Sequence, residues 1–244
     1  METHNAYESP CMQEIMGETL RPGGFSLTDA GVQYCRITSG DTVLDLGCGR
    51  GATVNYLRTK YHLTAVGIDP SAKLIEAAQD NYGYAGFFLG QGEALPFEDA
   101  SFNCVLAECT LSLTDSPDAV INQVYRVLKE NGWFVVSDVY ARNPKALINL
   151  SPNSVNSCMR GMHDLGQLKK RLEQAGFIII SSEDYSQYLK ELMVKIGFSY
   201  GSMGEFWNAA AAECGSGDEF HKTIKKCKPG YFLMVAKKPG KDNQ

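Results

Sequence analysis

The sequence predicts an α/β protein built around a doubly wound, mainly parallel sheet. Two observations carry that expectation. From residue 42 to about residue 138, short apolar runs alternate with helical patterns, the rhythm of consecutive βαβ units. The first apolar run leads directly into a glycine-rich turn, Gly47-Cys48-Gly49-Arg50-Gly51. In open sheets of this kind, ligands bind at such a turn, beyond the carboxyl ends of the strands.

The elements follow in order. Val43–Leu46 reads as a first strand and Ala52–Lys60 as the helix after the turn, with Val54 and Leu57 facing inward. Leu63–Ile68 is a second strand ending at Asp69-Pro70. Pro70 cannot continue a ladder, and Ser71 is placed to cap a helix over Ala72–Asn81. Phe87–Leu89 and Phe102–Ala107 are the third and fourth strands. Asp118–Lys129 is amphipathic through Val120, Val124 and Val127, with Asn131-Gly132 as its stop signal. Trp133–Asp138 is a fifth strand. Beyond it, Asn143–Ser157 reads as a loop, Asp164–Gln174 as a helix and Phe177–Ser181 as a sixth strand. Tyr185–Gly197 is helical by pattern, Gly201–Gly217 mixes Gly, Ala and aromatics, Asp218–Lys226 is helical, and Tyr231–Ala236 is the last strand.

Composition narrows the function. The 244 residues carry a formal charge of −5 and are 44% hydrophobic, so nothing pulls the chain toward nucleic acid or anionic lipid. No apolar run approaches the roughly 18 residues of a membrane span, and the polar start Met1-Glu2-Thr3-His4-Asn5 lacks the layout of a signal peptide. Eight cysteines without an export signal imply free thiols in a reducing cytoplasm. There is no Cys-x-x-Cys pair and no Cys/His cluster at zinc spacing, so no metal is expected.

The glycine turn identifies one half of the chemistry. Gly47-x-Gly49-x-x-Ala52 satisfies a permissive dinucleotide fingerprint, but Asp45 stands two residues before it. A fixed anion repels a pyrophosphate and suits a ligand with an ammonium group. S-adenosylmethionine (SAM) carries an ammonium, a sulfonium and an adenosine, with no phosphate. Asp69, at the end of the second strand, occupies the position that accepts hydrogen bonds from ribose hydroxyls.

With Gln91-Gly92-Glu93-Ala94-Leu95-Pro96-Phe97 after the third strand, the chain resembles the class I SAM-dependent methyltransferases, in their small-molecule (methyltransferase type 11-like) branch. The resemblance covers roughly residues 20–140. It rests on Val43–Gly51, Gly67-Ile68-Asp69, Gly90–Phe97, Ser101–Ala107 and Arg126-Val127-Leu128-Lys129-Glu130-Asn131-Gly132. It implies a Rossmann-like, seven-stranded sheet whose last strand is antiparallel; the helical insertion between strands 6 and 7 departs from the family's minimal form, where a short hairpin connection is more usual. It also implies SAM as cofactor, bound by Asp45, Gly47, Cys48, Gly49, Asp69, Pro70, Gln91, Gly92, Glu93 and Glu108. Two residues depart from the family pattern. Gln91 replaces an Asp that accepts from the adenine amino group; its carbonyl can accept the same bond without charge assistance. Asn103 stands where Asp is common, a change that bears on folding.

On this reading residues 1–244 form a single methyltransferase domain. Residues 1–40 are an N-terminal helical or lid segment in which Leu20–Phe25 closes over the cofactor, 41–140 the SAM-binding core, and 141–244 the acceptor-side elements with an insertion at about 184–228. The insertion's Phe198, Tyr200, Met203, Phe206 and Trp207 suit an acceptor wall, a homodimer contact, a protein partner or a satellite core. Cys158-Met159-Arg160-Gly161 and Glu183-Asp184-Tyr185 are similar to a bacterial methyltransferase group.

Methyl transfer needs a general base only where the acceptor must lose a proton. Glu108, Tyr140 and His163 are the catalytic candidates, with Asp138, Cys109 and Cys158 beside them. The leading expectation is methyl transfer from SAM to a small-molecule acceptor. One alternative is a non-catalytic SAM-binding accessory or regulatory protein. Another is thiolate-assisted methylation of a soft metalloid such as arsenic, held by Cys109, Cys158, Cys214 and Cys227. A nicotinamide enzyme is disfavoured by Asp45, and a nucleic-acid methylase by Glu108-Cys109-Thr110-Leu111.

Overall fold

A computed structural model describes residues 6–83, 86–150, 156–211 and 217–240. Seven strands form one sheet: β1 (Thr42–Leu46), β2 (Thr64–Asp69), β3 (Phe87–Leu89), β4 (Phe102–Glu108), β5 (Leu128–Ala141), β6 (Ile178–Asp184) and β7 (Pro229–Lys237). Their order is β3-β2-β1-β4-β5-β7-β6. The pairs from β3 to β5 are parallel, whereas β7 runs antiparallel to both β5 and β6. The expected doubly wound, seven-stranded architecture with a reversed last strand is therefore present. Strand order reverses between β1 and β4, and crossovers leave that gap open at the carboxyl edge.

Helices cover both faces: α1 (Pro10–Met16), α2 (Ser26–Cys35), α3 (Ala52–Tyr61), α4 (Ala72–Tyr82), α5 (Pro117–Val127) and α6 (Leu165–Gln174). Local signals act as the sequence suggests. Ser71 Oγ accepts from Leu74 N–H at 3.2 Å and opens α4, and Asp164 accepts from Gly166 and Gln167 N–H at the start of α6. The central strands are buried on both sides: Leu44 and Phe134 belong to one apolar cluster, Val43 and Val135 to the other.

Three boundaries differ from expectation. α5 ends at Val127 rather than Lys129, because Leu128 is already extended and paired with Phe102. Two side chains favour this early exit. Arg126 donates to the carbonyls of Leu95 and Phe97, and Lys129 Nζ to Asn103 Oδ1. Asn131, at φ +62, turns the chain inside β5 rather than stopping a helix. The mixed Gly201–Gly217 region contains a helix, α8 (Met203–Ala211), between α7 (Ser186–Tyr200) and α9 (Gly217–Cys227). The loop expected at Asn143–Ser157 includes a 3-10 turn at Pro144–Asn149; its residues 151–155 lie outside the described chain.

The helical insertion between β6 and β7 thus comprises α7, α8 and α9. Phe206 and Trp207 are buried and stack edge-on with Tyr200 and Phe220, while Phe198 is exposed. Its inner side meets the N-terminal segment, where Lys195 Nζ donates to the Ile15 carbonyl at 2.6 Å. At the other end of that segment Ser71 Oγ donates to Glu8 at 2.7 Å. The N-terminal segment therefore bridges the start of α4 and the insertion. Asn103 is a structural link: its Oδ1 accepts from Thr42 N–H and Lys129 Nζ, joining β1, β4 and β5. Among the described residues no helix is long and apolar enough to cross a membrane.

Candidate active site

A cavity of about 350 Å³ opens at the carboxyl edge, where β1 and β4 diverge. Its size falls within the usual range for small-molecule sites. Its floor is the turn after β1. Gly47 takes φ +76, and a Cβ there would collide with the Thr110 side chain, whose hydroxyl donates to the Leu46 carbonyl. Only glycine satisfies both constraints. Gly47 and Cys48 N–H groups bond the Ile68 carbonyl, which ties the turn to β2.

Asp69 completes that tie. Its Oδ2 accepts from Gly49 N–H and its Oδ1 from Ser71 N–H, each at 2.9 Å. Burial raises its pKa, and these two bonds oppose the rise. Each carboxylate oxygen keeps a lone pair for a ligand hydroxyl.

Asp45 is 3% exposed, and none of the described residues donates a hydrogen bond to its carboxylate. Its pKa is pushed up to about 8, first by burial and then by the charge of Glu108, with Arg21 pulling against both. A buried acid without a partner retains its proton unless a cation arrives.

Glu108, at the end of β4, has its partner already. Arg21 Nη2 lies 2.8 Å from Glu108 Oε2, with both side chains almost fully buried, and Thr28 Oγ1 donates to the same carboxylate at 3.0 Å. Arg21 also donates to Thr28 and Thr53. Burial still raises Glu108 above the ordinary carboxylate range. Paired in this way, Glu108 fixes Arg21 and Thr28 of the N-terminal segment on the end of β4. The Arg21 Nε–H is buried with no partner among the described residues.

Gly47, Cys48, Gly49, Pro70, Gln91, Gly92 and Glu93 all line the same cavity as Asp45, Asp69 and Glu108. Six carboxylate side chains line it (Glu18, Asp45, Asp69, Glu93, Glu108, Asp115) against two guanidinium groups, Arg21 and Arg50. That balance fits the cationic, phosphate-free donor and opposes a pyrophosphate. The unpartnered acid Asp45 and the orphaned Arg21 N–H match the two ends of an amino-acid zwitterion.

Tyr140 and His163 do not line this cavity. The Tyr140 hydroxyl donates to Asp184 at 2.6 Å in an exposed network with Arg142. His163 Nε2 lies 3.3 Å from Asp138 Oδ2, and Asp138 accepts from the Ser112 hydroxyl and N–H. That group ties the segment after β4 to β5.

Two of the four cysteines meet. Cys109 and Cys158 are buried side by side, and Cys109 Sγ lies 3.3 Å from the Tyr231 hydroxyl. The Cys158 contact and burial push the Cys109 thiol up, so it is held neutral. Cys227 sits elsewhere, bonded to the Thr223 carbonyl, and Cys214 lies outside the described residues.

Sequence reasoning missed Tyr7, Thr28, Thr110 and the role of Arg21. Arg21 was legible only as part of a conformationally special run beside Pro22 and Gly23. Tyr7, fully distant from any motif, carries no signal at all.

Comparisons with known proteins agree with this geometry. The family described as Methyltransf_11, methyltransferase domain, matches residues 44–136. An uncharacterized methyltransferase of Synechocystis is 32% identical over 192 residues, 74% of this chain and 89% of that protein. A 27-O-demethylrifamycin SV methyltransferase of Amycolatopsis mediterranei is 29% identical over 91% of this chain and 86% of its own length. An arsenite methyltransferase of Halobacterium salinarum is 30% identical over 59% of this chain, which spans 39% of that longer protein. Among solved structures, the [4+2]-cyclase SpnF superposes with a TM-score of 0.75 at 22% identity, covering 95% of this chain and 93% of that one. A turn shaped for close approach, an acid that lacks only a cation and these relatives converge: the chain belongs to the SAM-dependent methyltransferases.

Proposed function

We propose that the protein transfers the methyl group of SAM to an uncharged small-molecule acceptor. The observation that carries this reading is Asp45, an unpartnered buried acid under a glycine turn, its pKa about 8. Asp45 holds the donor's ammonium, and the free Arg21 Nε–H its carboxylate. Asp69 accepts from the ribose hydroxyls while it holds Gly49 in place. Gln91 accepts from the adenine amino group through its side-chain carbonyl. When bound, SAM supplies a methyl group on a sulfonium leaving group.

The chain's own contribution is alignment and dryness. Holding two reactants in line is worth roughly 7–11 kcal/mol. The Leu20–Arg21 segment covers the site, and Arg21, anchored to Glu108, keeps that cover closed against water. Of the three catalytic candidates none stands free beside the cavity, Glu108 being paired with Arg21 and Tyr140 and His163 lying away from it, which suits an acceptor atom that is nucleophilic without prior proton removal. Tyr140 and His163 hold the surrounding segments. Seven free cysteines among the described residues support a reducing, cytoplasmic setting.

A second reading draws on the paired thiols Cys109 and Cys158 and on the relative that is an arsenite methyltransferase. Soft-metalloid capture would use both sulfurs as thiolates. Against it stands the neutral state that the Cys158 contact and burial impose on Cys109. A non-catalytic role remains the third outcome of the test.

Calorimetry with SAM, S-adenosylhomocysteine and NAD tests the donor, and turnover of labelled SAM across hydroxyl, amine, thiol and arsenite acceptors tests the transfer. The expected result is binding of the first two ligands only, with label in a neutral organic acceptor. Binding of NAD in place of SAM overturns the donor assignment. Binding of SAM without transfer to any class makes the protein an accessory.

A further inference from the structure

A second, apolar cavity begins where the donor cavity ends. The two share Tyr7, Leu20 and Cys109 as common wall. The outer wall of the second is built by α1, α7 and α8, through Met12, Leu189, Ile196 and Trp207 among others. No charged side chain lines it among the described residues. An ion entering it would lose its hydration without compensation, at a cost of several kcal/mol at least.

Two features point to an occupant rather than to a packing defect. The first is the wall material. Met12, Met16, Met159, Met193 and Met203 all line this cavity, five of the eight methionines in the chain. Unbranched thioether side chains re-pack around irregular shapes at low cost. The free space of about 20 Å³ is room for roughly one water, so the chamber is nearly filled by its own side chains and must be widened by its ligand. The second is an orphan donor. The indole N–H of Trp207, 3% exposed on this wall, is buried with no partner among the described residues. A buried donor left unmade costs about 1–3 kcal/mol, which a ligand oxygen would recover.

We infer that this chamber is the acceptor site, and that it takes an uncharged molecule with an apolar body bearing a hydrogen-bond-accepting oxygen. The inference rests on the methyl-transfer reading, because contact with the donor cavity through Tyr7 and Cys109 is what makes the chamber an acceptor site. A neutral apolar skeleton enters between α1 and α7, displaces methionine side chains and places its nucleophilic atom at the Tyr7–Cys109 boundary. The Trp207 N–H then holds the oxygen at the far wall.

The test uses Nile red, a neutral dye with an apolar ring system and a carbonyl oxygen, titrated by fluorescence into the full chain saturated with S-adenosylhomocysteine. Trp207→Phe removes the donor and keeps the ring; Met193→Trp fills the chamber from α7. The expected result is saturable one-to-one binding with a blue-shifted emission, weakened about fivefold or more by Trp207→Phe and at least tenfold by Met193→Trp. Both variants should keep the wild-type unfolding temperature within a few degrees and the wild-type affinity for S-adenosylhomocysteine. Absence of saturable dye binding, or binding that neither variant alters, overturns the inference. Failure of S-adenosylhomocysteine to bind the wild type would instead strike the donor assignment, and calorimetry reads that separately.

Discussion

Arg21 and Glu108 form an ion pair at 2.8 Å in which the two side chains are 5% and 2% exposed. The segment before β1 is thereby anchored on the end of β4. Removing one member of a buried pair strands the other, typically at 3–5 kcal/mol, whereas replacing both can be neutral. Arg21→Met is expected to lower unfolding stability by about 3 kcal/mol or somewhat less, since Glu108 can protonate. The double variant Arg21→Met, Glu108→Gln is expected to regain more than half of that loss. Urea unfolding of the three proteins measures it; a double variant no better than the single one would show that the pair is not the anchor.

Asp45 sets a pH dependence whose sign is defined. Its ordinary pKa is 3.8 and its folded value about 8. A raised acid stabilises the ligand-free protein fully below about pH 4, and that contribution is lost as pH rises through 8. An ammonium beside the carboxylate lowers its pKa again. Binding of SAM at pH 7 should therefore release close to one proton, and affinity should rise from pH 6 to pH 8. Calorimetry in buffers of different ionisation heat measures the proton. In Asp45→Asn the release should vanish, with affinity about ten- to a hundredfold weaker, the scale of one charge-assisted hydrogen bond.

Asp69 links the β1 turn to the start of α4 through Gly49 and Ser71. Asp69→Ala leaves two backbone N–H groups without acceptors, so stability should fall by about 2–4 kcal/mol. SAM affinity should fall by at least thirtyfold. Differential scanning fluorimetry with and without SAM separates the two effects, because only lost binding abolishes the ligand-induced rise in melting temperature.

Gly47→Ala meets two obstacles, a left-handed φ of +76 and the Thr110 side chain. SAM binding should drop more than thirtyfold. Trimming Thr110 to Ala in the same chain removes the two closest contacts, Oγ1 and Cγ2, but leaves the tight approach of its Cβ and the backbone strain of roughly 1–2 kcal/mol. The double variant should thus recover binding only in part. Full recovery would assign the whole effect to crowding.

How much was legible follows from where each residue sits. Asp45, Gly47, Gly49, Asp69 and Gln91 lie within a few residues of a strand end, and parallel strands deliver all such positions to one edge. Tyr140 follows the expected end of the fifth strand in the same way, yet β5 continues to Ala141 beside antiparallel β7, with Tyr140 opposite Gly230. The edge rule belongs to parallel neighbours, and here the neighbour runs the other way. The end of α5 was misplaced because Leu128 is held by pairing with Phe102, a contact no local pattern announces. α8 was unreadable because its aromatic residues pack against two different helices, Phe206 on Tyr200 of α7 and Trp207 on Phe220 of α9.

By itself the sequence determined the sheet and the donor half of the chemistry. Periodicity, caps and the glycine turn are local, and a doubly wound sheet gathers local features onto one edge. Only the tertiary structure decided that Glu108 is a brace, through Arg21 and through Thr28 eighty residues away. It alone decided that the methionines of α1 and the insertion enclose an apolar chamber beside Tyr7 and Cys109. The physical reason is the same in both cases. Burial and pairing between distant segments set which carboxylate is free and which wall is dry, and neither property is written in any short stretch of chain.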